Sequence, residues 1–279
     1  MEYLMTYGWA ILIIAVVLGA LFQLGVFSGI GVPRAQAGNC QVIKAGSGIS
    51  QTVSLEGECQ GQEPEYVASI PVSGDGISVT GVALPLGSSA RTLTGWFQVP
   101  SNGGYLDAAG WFGPSCTTGY ITALGQWPGD TLYFWGWDDF QSSFIIQPHV
   151  WYFAAASYTA GSTSVTVYLD GSSQTGTLSG GVPLNTQPGS VVYMGHDPVC
   201  GDDFVGLLSN VQIYNTSLSA NEIQALYVEG IGGAPINPQY IVGWWPLNGN
   251  AQDYSGNNNN GQATGITYSS SWTNGYTAP

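Results

Sequence analysis

Trp151-Tyr152-Phe153-Ala154-Ala155-Ala156-Ser157-Tyr158, followed by Val165-Thr166-Val167-Tyr168-Leu169-Asp170-Gly171, is the stretch that decides the fold. Aromatic and β-branched residues of this kind suit the pleated, half-buried surface of a sheet. Asp170-Gly171 closes the second run with a turn signal. Working outward, short apolar or alternating runs recur at 77–84, 92–99, 120–124, 131–137, 143–146, 191–194 and 204–214, each bounded by Gly, Pro or Asn. Many short strands spaced by such turns predict a β-sandwich or jelly roll.

One helix interrupts the pattern. Ser219 is a good N-cap and Glu222 stands three residues later, which makes a capping box. Ile223, Leu226 and Tyr227 give the apolar face, and Gly230 ends it. One more strand is predicted at 241–247, ahead of an Asn-rich loop at 257–260.

These runs, together with Gly206-Leu207-Leu208-Ser209-Asn210-Val211-Gln212-Ile213-Tyr214-Asn215 and Leu218-Ser219-Ala220-Asn221-Glu222-Ile223, resemble the second half of a laminin-G-like, concanavalin A-like domain. Gly243-Trp244-Trp245-Pro246-Leu247-Asn248-Gly249-Asn250-Ala251-Gln252-Asp253-Tyr254-Ser255-Gly256-Asn257 resembles the opening of such a domain, yet here it comes last. The resemblance covers 66–279 and implies a jelly roll that is either circularly permuted or completed by strand donation between subunits. Closing the strand into its own domain costs only loop entropy, which grows slowly with length. Self-completion is therefore expected.

The first residues follow different rules. From Gly8 to Phe27 the only polar side chain is Gln23 and there is no charge. Such a run is long enough to cross a bilayer. Within the helical segment expected over 1–32 and ended by Pro33, a helix from Tyr3 to Val32 would be about 45 Å long, well beyond the ~30 Å hydrocarbon core. Its acidic start and length argue against a cleaved secretory signal, while a plain membrane anchor stays open. Gly25 and Gly29, like Ala15 and Gly19, hold the small-x-x-x-small spacing that lets helices approach closely. Glu2-Tyr3-Leu4-Met5-Thr6-Tyr7-Gly8-Trp9-Ala10-Ile11-Leu12-Ile13-Ile14 resembles the start of archaeal type IV pilin-like proteins, in a form already freed of its basic leader. That resemblance implies a homopolymer built through the N-terminal helices, membrane-inserted before assembly and extracellular afterwards, with Glu2 meeting a neighbour's terminal amine. The expected fold class is thus a long apolar α-helix followed by an all-β jelly roll, with residues 33–65 as a stalk that holds one strand-like piece at 49–55.

Composition narrows the function. Only 7% of residues are charged, against roughly 25% in ordinary soluble proteins. Three basic residues face seventeen acidic ones, a net charge of −14. Nucleic acid is excluded as a partner, since phosphate binding needs Lys and Arg. The four cysteines form no C-x-x-C pair, and with two histidines they make no zinc site. In a chain with an export-type segment they point to disulfides. Three connectivities exist; Cys40–Cys59, a short local loop, and Cys116–Cys200, tying two loops of one domain, are expected.

Candidate sites are few. Glucanases of the resembled family carry a Glu-x-Asp-x-x-Glu strand motif for paired-carboxylate chemistry, and this sequence has none. No Ser–His–Asp set can be drawn with only His149 and His196 available. No enzyme activity and no required cofactor are therefore expected. Trp135-Gly136-Trp137-Asp138-Asp139 sets aromatics beside carboxylates, which suits stacking on sugar rings and accepting hydrogen bonds from the hydroxyls of surface glycans. Alternate tryptophans in a strand equally fill a sandwich core. Asp197, Asp202 and Asp203, in a loop with Cys200, offer oxygens to Ca²⁺, or are simply solvated. Asn215-Thr216-Ser217 fits an N-glycosylation sequon.

Overall fold

The computed structural model describes residues 63–279, apart from 102, 105, 117–120, 137 and 138, and also the backbone of two earlier strands. Those two, β1 (Cys40–Lys44) and β2 (Gln51–Leu55), form a two-stranded sheet of their own. The helix expected over 1–32, with Glu2, Tyr3, Ala15, Gly19, Gly25 and Gly29, lies outside the described residues, as do the Cys40–Cys59 pair, Trp137 and Asp138. Among the described residues no helix is long and apolar enough to cross a membrane.

The deciding stretch forms a hairpin. Strand β10 (Tyr152–Tyr158) pairs antiparallel with β11 (Ser164–Leu169), Ala154 opposite Leu169 and Ser157 opposite Thr166. Period-two alternation splits β10 between two environments. Ala154, Ala156 and Tyr158 face the core, while Phe153 and Ala155 face the opposite side of the sheet. Around this hairpin the first sheet runs β12 (Ser172–Thr177), β11, β10, β5 (Arg91–Gln98), β14 (Gly206–Tyr214), β3 (Val67–Ile70) and β17 (Thr267–Ser269). The second runs β16 (Gln262–Thr264), β4 (Gly76–Val79), β13 (Val191–Met194), β6 (Leu106–Phe112), β7 (Ile121–Trp127), β8 (Thr131–Trp135) and β9 (Phe140–Ile145). Ladders in both sheets are antiparallel, and one apolar core, from Ile77 and Leu93 to Trp111, Phe134 and Trp245, lies between them.

The late strand completes its own sandwich. Strand β15 (Ile241–Trp245) pairs with β14, Val211 opposite Trp245 and Ile213 opposite Gly243. Strand β14 therefore shares one edge between two partners: Gly206 to Leu208 bond β3, and Val211 to Tyr214 bond β15. A bulge at Ser209–Gln212, where Asn210 takes φ 50°, marks the changeover. The Asn210 carboxamide ties it down, donating to the Gly233 carbonyl at 2.8 Å and accepting from the Trp244 indole at 2.8 Å. Trp245, wholly buried, donates to the Asn259 carbonyl at 2.8 Å.

The outer face of the first sheet is covered. Helix α1 (Ala220–Val228) forms where its capping box requires: the Ser219 hydroxyl accepts from the Glu222 N–H, and the Glu222 carboxylate accepts from the Ser219 N–H at 2.7 Å. Gly230, at φ 78°, ends it. Ile223 and Leu226 pack with Trp96, Trp151, Phe153 and Trp272. The Trp151 indole donates to the Trp272 carbonyl, and the Trp272 indole to the Pro64 carbonyl.

Arg91 crosses the interior. It is 1% exposed. Its guanidinium donates to Thr122 and Thr186 hydroxyls (3.2 and 2.6 Å) and to the Gly87 and Ser89 carbonyls (2.7 and 3.0 Å). The rings of Trp111 and Tyr158 lie under its carbon at 5.7 and 5.6 Å, close enough for cation–π attraction. Burial pulls its pKa down to about 10, so it stays charged at neutral pH.

Candidate functional site

Among the described residues no helix packs on the outer face of the second sheet. Alternation in β8 sends Leu132 and Phe134 inward and Tyr133 and Trp135 outward. Half-buried Trp135 packs on this face with Phe112, Ile121, Ala123, Tyr193 and Val199. Trp135 therefore does not fill the sandwich core, the alternative reading of the Trp135–Trp137 pair.

Next to these aromatics lies a group of carboxylates. Asp107, Asp197 and Asp202 each bring a carboxylate oxygen within 4.8 Å of the others. Asp107 and Asp197 are both 1% exposed, and Asp107 Oδ2 and Asp197 Oδ2 are buried without a hydrogen-bond partner. An orphaned buried acceptor is costly, and two side by side with like charge cost more. A bulge between Asp107 and Ala109 turns the Asp107 carboxylate toward the Tyr133 hydroxyl, which donates to it at 3.1 Å.

The other two aspartates come from the loop after β13. Gly195 opens that loop at φ 84°, a conformation only glycine holds easily, and donates to the Ala108 carbonyl at 2.9 Å. Phe204 closes it by donating to the Gly195 carbonyl at 3.0 Å. Asp197 Oδ1 accepts from the Val199 and Cys200 N–H groups at 2.9 and 3.0 Å, leaving Oδ2 for the cluster. The Asp107 N–H bonds the Asp202 carbonyl at 2.8 Å, which fastens loop to strand. The Cys116–Cys200 disulfide, expected from the sequence, anchors the loop across a separation of 84 residues.

Burial, then the charges of Asp197 and Asp202, pushes the Asp107 carboxyl well above the usual carboxylate range. Burial, then Asp197 and Asp203, raises Asp202. Asp203 goes the other way. Burial opposes its ionisation, but the Ser73 hydroxyl, the Asp197 N–H and His196 outweigh that and hold its pKa low. Those partners sit at 2.7, 2.8 and 2.8 Å.

The sequence-derived candidates thus regroup. Asp197 and Asp202 belong to the cluster; Asp203 stands beside it with its carboxylate already engaged, and Asp107 takes the third place. Tyr133 links the two candidate groups: its hydroxyl donates to Asp107 and its ring centroid lies 6.4 Å from that of Trp135. Asn215 is exposed just after β14, with the Ser217 hydroxyl 2.9 Å from that of Ser157. Asp107 escaped sequence reading because its strand did; the run Ala108-Ala109-Gly110-Trp111-Phe112 after it was the available signal.

Residues 72–224 match the family described as the concanavalin A-like lectin/glucanases superfamily, Laminin_G_3. The chain belongs to that superfamily. Among solved structures, a candidate carbohydrate-binding protein from Bacteroides ovatus superposes with TM-score 0.55 at 16% identity, over 79% of this chain and 66% of that one. The heptameric SAP-like pentraxin of Limulus polyphemus gives TM-score 0.48 at 16% identity, over 73% and 94%. At such identity the Bacteroides likeness shows the shared fold. No curated protein matches by sequence.

Proposed function

We propose that the sandwich is a cell-surface carbohydrate-binding module that captures sugar on the open face of its second sheet, beside a calcium ion held by Asp107, Asp197 and Asp202. The observation that carries this reading is the pair of buried, unpartnered carboxylate oxygens gathered with Asp202. Buried anions without partners are kept where a cation joins them, and an all-oxygen donor set suits Ca²⁺, which takes six to eight such ligands. Bound there, the ion would neutralise the cluster and offer open positions to sugar hydroxyls. Trp135 supplies an apolar surface for a sugar ring, and Asp139 an acceptor for its hydroxyls. Membership of a superfamily of lectins and glucanases supports a glycan ligand, as does the description of the Bacteroides protein.

Binding is favoured over hydrolysis. Glycosidase carboxylates flank the scissile bond, roughly 5 to 9.5 Å apart. The three aspartates instead turn one oxygen each toward a common point, and Asp107 and Asp197, at 1% exposed, are too enclosed to flank a glycosidic bond. In thermal melts Ca²⁺ should raise the Tm, by a stabilisation of about 2.7 kcal/mol at one hundred times Kd, and EDTA should reverse both that shift and retention on immobilised glycans. No shift with Ca²⁺ and no retention would end this reading.

The likeness of residues 1–32 to pilin starts supports a further element: the module is displayed on a homopolymeric filament whose subunits are membrane-inserted before assembly. Electron microscopy of purified material should show regular filaments. The double variant Gly25→Leu, Gly29→Leu should lose them while the sandwich melts normally; intact filaments would remove the packing role of these glycines. Asn215, exposed in its sequon, is the proposed glycosylation site.

A further inference from the structure

We infer that the site takes an uncharged glycan, one that presents hydroxyls and carries no carboxylate, sulfate or phosphate. This rests on the glycan-binding reading above and narrows it to a ligand class.

The first support is the supply of positive charge. After Lys44 the sequence holds one lysine or arginine, Arg91. It is 1% exposed, and its guanidinium is committed to Thr122, Thr186, Gly87 and Ser89. No ammonium or guanidinium of the sandwich is therefore available to an acidic sugar, although such side chains are the usual partners of carboxylate, sulfate and phosphate groups. His196 is the remaining candidate near the site, and its Nδ1 lies 2.8 Å from Asp203.

The second support is the surplus of negative charge. Asp107, Asp197 and Asp202 converge, Asp203 abuts them, and the charge of Asp139 is felt at Asp107 and Tyr133. One divalent cation does not balance that set. An anionic ligand approaching Trp135 meets a net negative field in a partly desolvated setting, where charges act more strongly than in water.

The third support is hydrogen-bond polarity. Ionised carboxylates accept only. A neutral sugar brings hydroxyls that donate to the partly exposed carboxylates of Asp139 and Asp202, whereas an acidic substituent brings more acceptors. Side chains here favour a donor-rich ligand and penalise an acceptor-rich one.

The test uses the full chain in detergent with Ca²⁺ present. Neutral gluco-, galacto-, manno- and xylo-oligosaccharides are compared by calorimetry with oligogalacturonate and oligoglucuronate of the same length, at 20 mM and 300 mM NaCl. At least one neutral series should bind, with the uronates weaker by about tenfold or more, ~1.4 kcal/mol. Salt should narrow that gap, because screening weakens repulsion. Uronates that bind as tightly as the best neutral series would overturn the inference and leave glycan binding standing. Binding of neither class would remove the glycan-binding reading and this inference with it.

Discussion

Arg91 and Asp107 are each 1% exposed, yet the fold surrounds them differently. Arg91 lies between the sheets with hydroxyls, carbonyls and two aromatic rings arranged around its charge. Asp107 has one hydrogen bond from Tyr133 and one oxygen with no partner, and its charged neighbours, Asp139, Asp197 and Asp202, share its sign. A buried charge fully met by its surroundings is part of the structure. One left wanting in the company of like charges is a candidate functional site. The same contrast runs through the two outer faces. Helix α1 and the segment bearing Trp272 cover the first; on the second, Trp135, Asp139 and Asp202 stay partly exposed above the enclosed Asp107 and Asp197.

The largest effect should come from emptying the Arg91 site. Arg91→Ala leaves the Thr122 and Thr186 hydroxyls only each other, at 3.4 Å, takes the guanidinium donors from the Gly87 and Ser89 carbonyls and leaves a void between sheets. Lost packing and unmet polar groups together should cost about 4 kcal/mol in urea denaturation. Arg91→Lys should recover only part, because an ammonium cannot reproduce the planar fork. A loss below about 1 kcal/mol would mean that the cage around Arg91 contributes little.

The second effect lies on the open side. Cys116–Cys200 closes a separation of 84 residues and ends in the loop whose backbone orients Asp197. Replacing both cysteines with serine should cost about 3 kcal/mol, chiefly by freeing the unfolded chain. It should also weaken Ca²⁺ binding by loosening that loop. If stability falls while calcium affinity holds, the disulfide braces the fold and not the site.

How far the sequence carried this contrast depended on local composition. The strands β10, β11, β14 and β15 announced themselves by apolar and β-branched runs, and α1 by its capping box. Strand β12, Ser-Ser-Gln-Thr-Gly-Thr, reads as a loop and is a strand only because β11 pairs with it. Strands β16 and β17, three residues each, are too short for any periodicity. Strand β6, Leu-Asp-Ala-Ala-Gly-Trp-Phe, lacks β-branched residues and does not read as a strand, so nothing in the sequence singles out Asp107. Asp197 and Asp202 were legible because a cysteine and glycines frame their loop; that Asp203 turns to His196 and Ser73 depends on contacts the sequence does not display. The Arg91 cage draws on Gly87, Ser89, Thr122 and Thr186, gathered only by the fold.

The smallest predicted effect is the most discriminating, because its sign is opposite. Asp107→Asn keeps the shape, accepts from Tyr133 as before and removes a charge that burial disfavours. The Asp107 pKa is raised in the folded state above its ordinary unfolded value, chiefly by burial. Its contribution to stability is then fully present below the unfolded value, near 3.9, and is lost as pH rises through the folded one. In EDTA the wild type should therefore weaken as pH goes from 4.5 to 7.5, and Asp107→Asn should weaken less. At pH 4.5 the two should melt together, since the protonated acid and the amide are alike. At pH 7.5 the variant should be more stable by roughly 1 to 2 kcal/mol, the scale of one unmet buried polar group. Saturating Ca²⁺ should reverse the order, because only the wild type keeps its ligand set. A variant less stable than the wild type at pH 7.5 in EDTA would place Asp107 beside Arg91, as a charge the fold relies on, and the difference between the two faces would no longer mark a binding site.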